Sequence, residues 1–505
     1  MNRRNFILGG AAAIATIAGS GMLLSTRSAA ERLYSGSRPR SRLTMPKLID
    51  TTNTGIFEIT ARTGQTGFMP GVFSATNGFN QPYLGPVIKV RTGRTVKAKV
   101  INELNTSLAV HWHGLLIPSN RDGGPHQALK SGDIWKPALD IDQPAATVWY
   151  HAHTHNTTAP LVHSGLAGVM LISDGKDNER GLPTDYGIDD LVLLLQDRRF
   201  DASGRMTYNL GMMDRMVGFH GDRVLVNGTL DPSAAVPRSV VRLRLINGSN
   251  ARIYNLVFTD RRTMHLIGTD SGLLQKPVEL TQVRLAPGER VEVLVDFSSG
   301  KPAMLSSEEY LFNSNGMMAR MGSTPSLSGT SPDNSGAAPI LAFQPLEDLP
   351  VKVTTIPSVF DNNASQQVLQ PTSSRFLSMD MMTGGSGGMM GRGGMMGQMG
   401  INGQPFNMKR IDQRVALGSV EKWTVKSTMR PHPLHIHGVR FRVMSENGQA
   451  PRVENSGWKD TVLIEDQVEL VAQFTQPASA DTPFMYHCHI LEHEDAGMMG
   501  QFIVS

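Results

Sequence analysis

The chain has one cysteine, Cys488, in 505 residues, so it cannot close an intramolecular disulfide. Long helical periodicity is scarce. Short β-branched runs punctuated by Gly, Pro, Asn and Asp take its place, which speaks for strands rather than helices. No basic run interrupts the body of the chain. The formal charge of +4 falls to about +1 without the first 30 residues, which hold Arg3, Arg4 and Arg27 and no acid, and nothing suggests a nucleic-acid partner. Long apolar runs are also missing. The one mild stretch, rich in Gly and Ala up to about Leu24, is marginal in length and too glycine-rich for a membrane span. Arg3-Arg4 ahead of that stretch mark a twin-arginine export signal over residues 1–30, with small residues Ser28, Ala29 and Ala30 near the cleavage point. A retained anchor is the alternative.

What the chain does have is histidine in pairs. His111/His113, His151/His153, His435/His437 and His487/His489 are each spaced His-x-His. On a strand, alternate side chains share a face, so each pair presents two imidazoles together. No carboxylate lies among the eight. Imidazole alone suits copper, zinc, iron or nickel. The last pair flanks Cys488, whose side chain would point to the opposite face. Cys488 is followed by His493 and Met498, and His432 lies upstream in Pro431-His432-Pro433. Two imidazoles, a thiolate and a weak axial thioether form the ligand set of a blue (type 1) copper. A zinc site or a buried free thiol is the alternative, although zinc has no use for a thioether. His126, His155, His163, His220 and His265 remain as ordinary surface or hydrogen-bonded histidines.

The motifs His111-Trp112-His113-Gly114, Trp149-Tyr150-His151-Ala152-His153, His432-Pro433-Leu434-His435-Ile436-His437-Gly438 and Tyr486 to Met499 resemble those of the multicopper oxidases. Within that family the chain is most similar to the periplasmic copper-efflux (cuprous) oxidases of the CueO type. The resemblance implies four copper ions, one type 1, one type 2 and two type 3. It places type 1 on His432, Cys488, His493 and Met498, and type 2 on His111 and His435. One type 3 ion would lie on His113, His151 and His489, the other on His153, His437 and His487. It also implies that Asp122 and Glu494 act beside the trinuclear cluster, Glu494 as a proton relay, while Cys488 carries electrons to its neighbours.

Roughly 470 mature residues exceed one core. Internal similarity sets the number of units at three: Leu245-Ile246-Asn247 echoes Val100-Ile101-Asn102, His435-Ile436-His437-Gly438 echoes His111-Trp112-His113-Gly114, and Tyr486-His487-Cys488-His489 echoes Tyr150-His151-Ala152-His153. The expected fold is all-β, three cupredoxin-like Greek-key β-sandwich domains at 45–175, 185–345 and 355–505. The first and third would each hold half of the trinuclear site. The middle one, free of copper, would be a spacer and clamp.

Residues 379–399 form a Met/Gly-rich insert with eight of the 28 methionines. Thioethers suit cuprous copper, and the resemblance implies that such an insert covers the type 1 site and collects substrate copper. Met379, Asp380, Met381 and Met429 are the candidate substrate-copper ligands. The family's acidic and methionine ligands just before the type 1 histidine are replaced by Thr428 and Arg430. The resulting expectation is a monomeric periplasmic oxidase, without stable membrane insertion after export by the twin-arginine machinery. It would oxidise cuprous ion, or a small aromatic donor in laccase fashion, with dioxygen as acceptor. A non-catalytic copper store is an alternative. A relative of the division-associated cupredoxin proteins, which have lost the copper ligands, is disfavoured by the retention of all ten histidines, Cys488 and Met498.

Overall fold

Alternating burial along short strands builds six sheets. Val420–Lys426 shows the pattern: Glu421, Trp423 and Val425 are buried while their neighbours are half-exposed. The computed structural model describes residues 40–312, 337–360, 369–381, 399–427 and 429–505. The proposed signal at 1–30, most of the methionine-rich insert (382–398) and Thr428 lie outside the described residues. Strands account for 50% of the chain and helices for 6%, the all-β class expected. No helix among the described residues is long and apolar enough to cross a membrane.

One strand order recurs three times. Val87–Arg91 runs parallel to Ala167–Ser173, which pairs antiparallel with Ala146–Ala152, which pairs antiparallel with Val110–His111. The same first–fourth–third–second order joins Pro232–Pro237, Ala338–Leu346, Ala303–Glu308 and Tyr254–Phe258. It appears again in Gln413–Val415, Met499–Val504, Phe484–Cys488 and His432–Ile436. Such non-neighbouring connections are the Greek-key habit of sandwiches. A second sheet faces each of these, and three separate apolar cores fill the space between facing sheets. In the outer two stretches the second and third strands of this order carry the first histidine of each His-x-His pair, and the second histidine follows just beyond the strand end. In the middle stretch the corresponding strands, Tyr254–Phe258 and Ala303–Glu308, carry no histidine.

The register places the half-sites in matching positions. His111 lies opposite His151, and His435 lies opposite His487. Phe484–Cys488 is buried at every position because both of its faces are covered. Phe484, Tyr486 and Cys488 enter the C-terminal core, as the period of two requires, which turns His487 to the other side. Ala152, the residue equivalent to Cys488, sits in the N-terminal core.

Candidate metal centres

Eight histidines from the outer stretches converge in the interior. His113, His151 and His489 form one group whose ligand atoms lie within 4.8 Å of one another, and His153, His437 and His487 form a second. His111 and His435 approach through their Nε2 atoms at 3.3 Å. The two halves interleave: His111 stacks on His437 at 3.7 Å between ring centres, and His113 on His435 at 3.6 Å.

Six of the eight rings are anchored by a hydrogen bond from one nitrogen. His111 Nδ1 donates to the Asp122 carbonyl (3.0 Å), His435 Nδ1 to the Asp460 carbonyl (2.9 Å), His151 Nδ1 to the Ala152 carbonyl (2.8 Å) and His487 Nδ1 to the Cys488 carbonyl (3.0 Å). His437 Nδ1 donates to Asp122 Oδ2 at 2.7 Å. Glu494 lies between two rings, with Oε1 3.4 Å from His153 Nδ1 and Oε2 3.3 Å from His487 Nδ1. His113 is anchored in the reverse sense, Nε2 donating to Asp460 Oδ1 at 3.0 Å.

Fixing one nitrogen as the donor leaves the other bare. Burial pushes His113, His151, His153, His437 and His489 well below the ordinary imidazole pKa, and brings His435 down to about 4, so these rings are neutral at neutral pH. The inward Nε2 atoms of His153 and His437 each stand 3.2 Å from that of His487. His113 Nδ1, His151 Nε2 and both nitrogens of His489 are buried without a hydrogen-bond partner. Lone pairs facing each other at such distances repel, and buried acceptors without donors are costly. Cations between them remove both penalties. The residues therefore fit metal ions of imidazole preference.

A second centre begins one peptide unit away. Cys488 Sγ is 3.5 Å from His432 Nδ1 and 3.7 Å from His493 Nδ1, and the two Nδ1 atoms are 3.2 Å apart. All three residues are fully buried. Met498, also fully buried, is tied to the same turn: its carbonyl accepts from Cys488 N at 3.0 Å, and its N–H donates to the His493 carbonyl at 2.9 Å. Burial pushes the Cys488 thiol far up and His432 down to about 3. A metal ion is what would make that sulfur a thiolate here.

His493 Nε2 donates to the Met216 carbonyl of the middle stretch at 3.1 Å, with Arg430 Nη1 3.4 Å away. Arg430 is buried; Met429 and Asp380 are half-buried, and Asp380 acts electrostatically on His432. Ser427 Oγ ties the two segments together by donating toward the carbonyls of Met379 and Arg430. Of the expected substrate-copper residues, Asp380 is the one that acts on His432, while the Met379 side chain is fully buried in the C-terminal core. Met381 pairs with Met399 at the neck of the insert.

Sequence reading missed what the middle stretch contributes. It supplies the Met216 carbonyl and three donors to Glu492: Tyr208 Oη and Asn250 Nδ2 (each 2.7 Å) and Phe219 N (2.9 Å). It also supplies Gly288, against which His489 packs. At φ +85° a Cβ there would stand 2.8 Å from His489 Cδ2. Gly288→Ala should therefore cost about 1–2 kcal/mol from the left-handed backbone alone and displace His489. The expected result is a lower melting temperature and reduced copper in the eight-histidine ring with the Cys488 centre intact, measured by thermal unfolding and copper analysis. Asp460 and Thr461 were missed as well. Their one signal was a charged pair, Lys459-Asp460, set between Trp458 and the apolar run that follows.

Multicopper oxidase profiles match residues 61–177, 148–326 and 370–505. The cell division protein FtsP of Xenorhabdus nematophila is 38% identical over 430 residues, 85% of this chain and 85% of that protein. Among solved structures, a laccase-like multi-copper oxidase CueO from the lignin-degrading bacterium Ochrobactrum sp., with oxidase activity towards lignin model compounds and lignosulfonate, is 38% identical. The match covers 92% of this chain and 100% of that one, with a TM-score of 0.81. A laccase from Pediococcus acidilactici is 32% identical over 93% of this chain and 94% of that one, with a TM-score of 0.78.

Proposed function

Since the chain belongs to the multicopper oxidase family, we propose that it couples one-electron oxidation of a donor, foremost cuprous ion, to reduction of dioxygen to two waters. One observation carries this reading: the Cys488–His432–His493 triangle stands one residue from the converging rings of His487 and His489, so a single strand end serves both centres. In this reading His432, Cys488, His493 and Met498 hold type 1 copper, His111 and His435 type 2, and the groups of His113 and of His153 the two type 3 ions. Copper bound there would accept electrons one at a time and deliver four to dioxygen. The three repeats serve as cupredoxin domains at 45–175, 185–345 and 355–505, and the mature chain works in the periplasm after twin-arginine export.

The chain's own residues then have defined tasks. His487-Cys488-His489 provides an unbroken covalent path between the centres. Asp122 accepts the Nδ1 proton of His437, Glu494 lies 3.3–3.4 Å from the Nδ1 atoms of His487 and His153, and both acids are placed to pass protons inward. Four cuprous ions, one dioxygen and four protons would give four cupric ions and two waters. Asp122 Oδ1 is buried without a hydrogen-bond partner and is the free acceptor such a relay needs.

Cuprous ion as donor, the trait of the CueO type, is supported by the methionines of 379–399 and by Asp380, which acts electrostatically on His432. A phenolic donor is a second reading, supported by Arg430 in place of a copper ligand and by the lignin-active relative. A part in cell division is suggested by the name of the FtsP relatives; the complete set of converging ligands supports an enzyme instead. Oxygen uptake with cuprous ion and with a phenol, in the full chain and in a variant deleted for 382–398, separates these. The deletion should lower cuprous turnover about tenfold or more while phenol oxidation stays within about twofold. Unchanged cuprous turnover would remove the insert from the reading, and absence of oxygen uptake with either donor would leave a store or a non-enzymatic role.

A further inference from the structure

Among the described residues the middle stretch offers no ligand to either centre, yet one of its side chains reaches the eight-histidine ring at one remove. Arg290 opens the strand Arg290–Asp296 and is fully buried. Nη1 and Nη2 grip Asp460 Oδ1 and Oδ2, each at 2.6 Å, the two-pronged pairing that fits a guanidinium to a carboxylate. Its other donors are also used: Nε to the Thr147 carbonyl (3.1 Å), Nη1 to that of Gly288 (3.1 Å) and Nη2 to that of Asp270 (2.8 Å). All five N–H groups are thus satisfied, by residues from all three stretches. Lys459, paired with Asp270 at 3.2 Å and Glu289 at 3.1 Å, completes the buried charge cluster.

What this lock holds still is one oxygen. Asp460 Oδ1 accepts from His113 Nε2 at 3.0 Å and from Thr461 Oγ1 at 2.9 Å. An ionised carboxylate only accepts, so the His113 proton must sit on Nε2. That leaves Nδ1, buried and without a partner, for a metal shared with His151 and His489. The five rings anchored through Nδ1 offer the opposite nitrogen. A neutral imidazole without Asp460 would be free to move its proton to Nδ1 and close that position.

We propose that Asp460, held by Arg290, is a positioning residue that fixes the tautomer of His113, and that through this pair the middle stretch governs metal occupancy at His113, His151 and His489. The inference rests on the four-copper reading above.

Two variants test it in the full chain. Asp460→Asn removes the charge. Arg290→Met combined with Asp460→Leu removes both charges at once, so neither is left buried alone, and it decides the matter if the first does not fold. Both should retain the blue absorption of the Cys488 centre, which reports the fold. Affinity for one cluster ion should fall about 10–100-fold, leaving about three coppers per chain in place of four. A folded double variant that keeps the full copper complement overturns the proposal. Nitrogen-15 spectra of histidine in the metal-free protein give an independent readout: the His113 proton is expected on Nε2 in the natural chain and shared between both nitrogens in the variants. A proton on Nδ1 in the natural chain would sink the proposal even with four coppers bound, whereas a colourless copper-loaded natural chain would sink the four-copper reading instead.

Discussion

Cys488→Ser should abolish the blue absorption and lower turnover with any donor by roughly three orders of magnitude, a barrier increase of about 4 kcal/mol. Serine is nearly the same shape, so the core around Phe484, Tyr486 and Met498 should close as before. The chemistry is what changes. Buried among apolar side chains, the hydroxyl stays protonated, and hard oxygen is a poor substitute for the soft sulfur a type 1 site requires. His487 and His489 keep their places, so the eight-histidine ring should still fill, with about three coppers per chain in place of four. Copper analysis together with visible absorption reads both parts. A variant that stays blue and active would mean that Sγ, at 3.5 and 3.7 Å from two imidazole nitrogens, is not where electrons enter.

The second large effect is expected at Glu494, and two substitutions should separate its tasks. The carboxylate is buried between His153 and His487, with Oε1 3.4 Å from His153 Nδ1 and Oε2 3.3 Å from His487 Nδ1. Glu494→Gln preserves one acceptor for that ring but cannot take up a proton. It should bind four coppers, remain blue, and turn over about 100-fold more slowly. Glu494→Ala leaves His153 Nδ1 without its neighbouring carboxylate and should also weaken copper binding in the ring by about 10–100-fold. His487 would be less affected, because its Nδ1 also donates to the Cys488 carbonyl. Equal loss of copper in both variants would make Glu494 a structural anchor and nothing more.

Much of this site was legible from residue order because strands have a period of two. The placement of Cys488 in the core and His487 opposite follows from that rule, whereas the second histidine of each His-x-His pair lies just past its strand end. The threefold strand order was visible as echoes of short motifs. What stayed hidden were contacts made across sequence distances that no local pattern encodes. His113 and Asp460 are 347 residues apart, and Arg290 lies in a stretch that has no metal ligand among its described residues. The carbonyl of Met216 left no trace at all, since any residue type supplies one. Asp122 and Glu494 were reached through family resemblance, because a carboxylate in a glycine-rich turn or a short helix has many commoner uses.

The assertion most exposed to test is that the buried rings and the lone sulfur hold copper as one electron-transfer unit. Loading the purified chain with copper, counting the metal, and following donor oxidation against oxygen uptake measures it directly. The expected result is four coppers per chain, an intense blue band, and one dioxygen consumed for every four donor electrons without release of peroxide. Bound copper without a blue band, or oxygen consumption that yields peroxide at two electrons each, would contradict it.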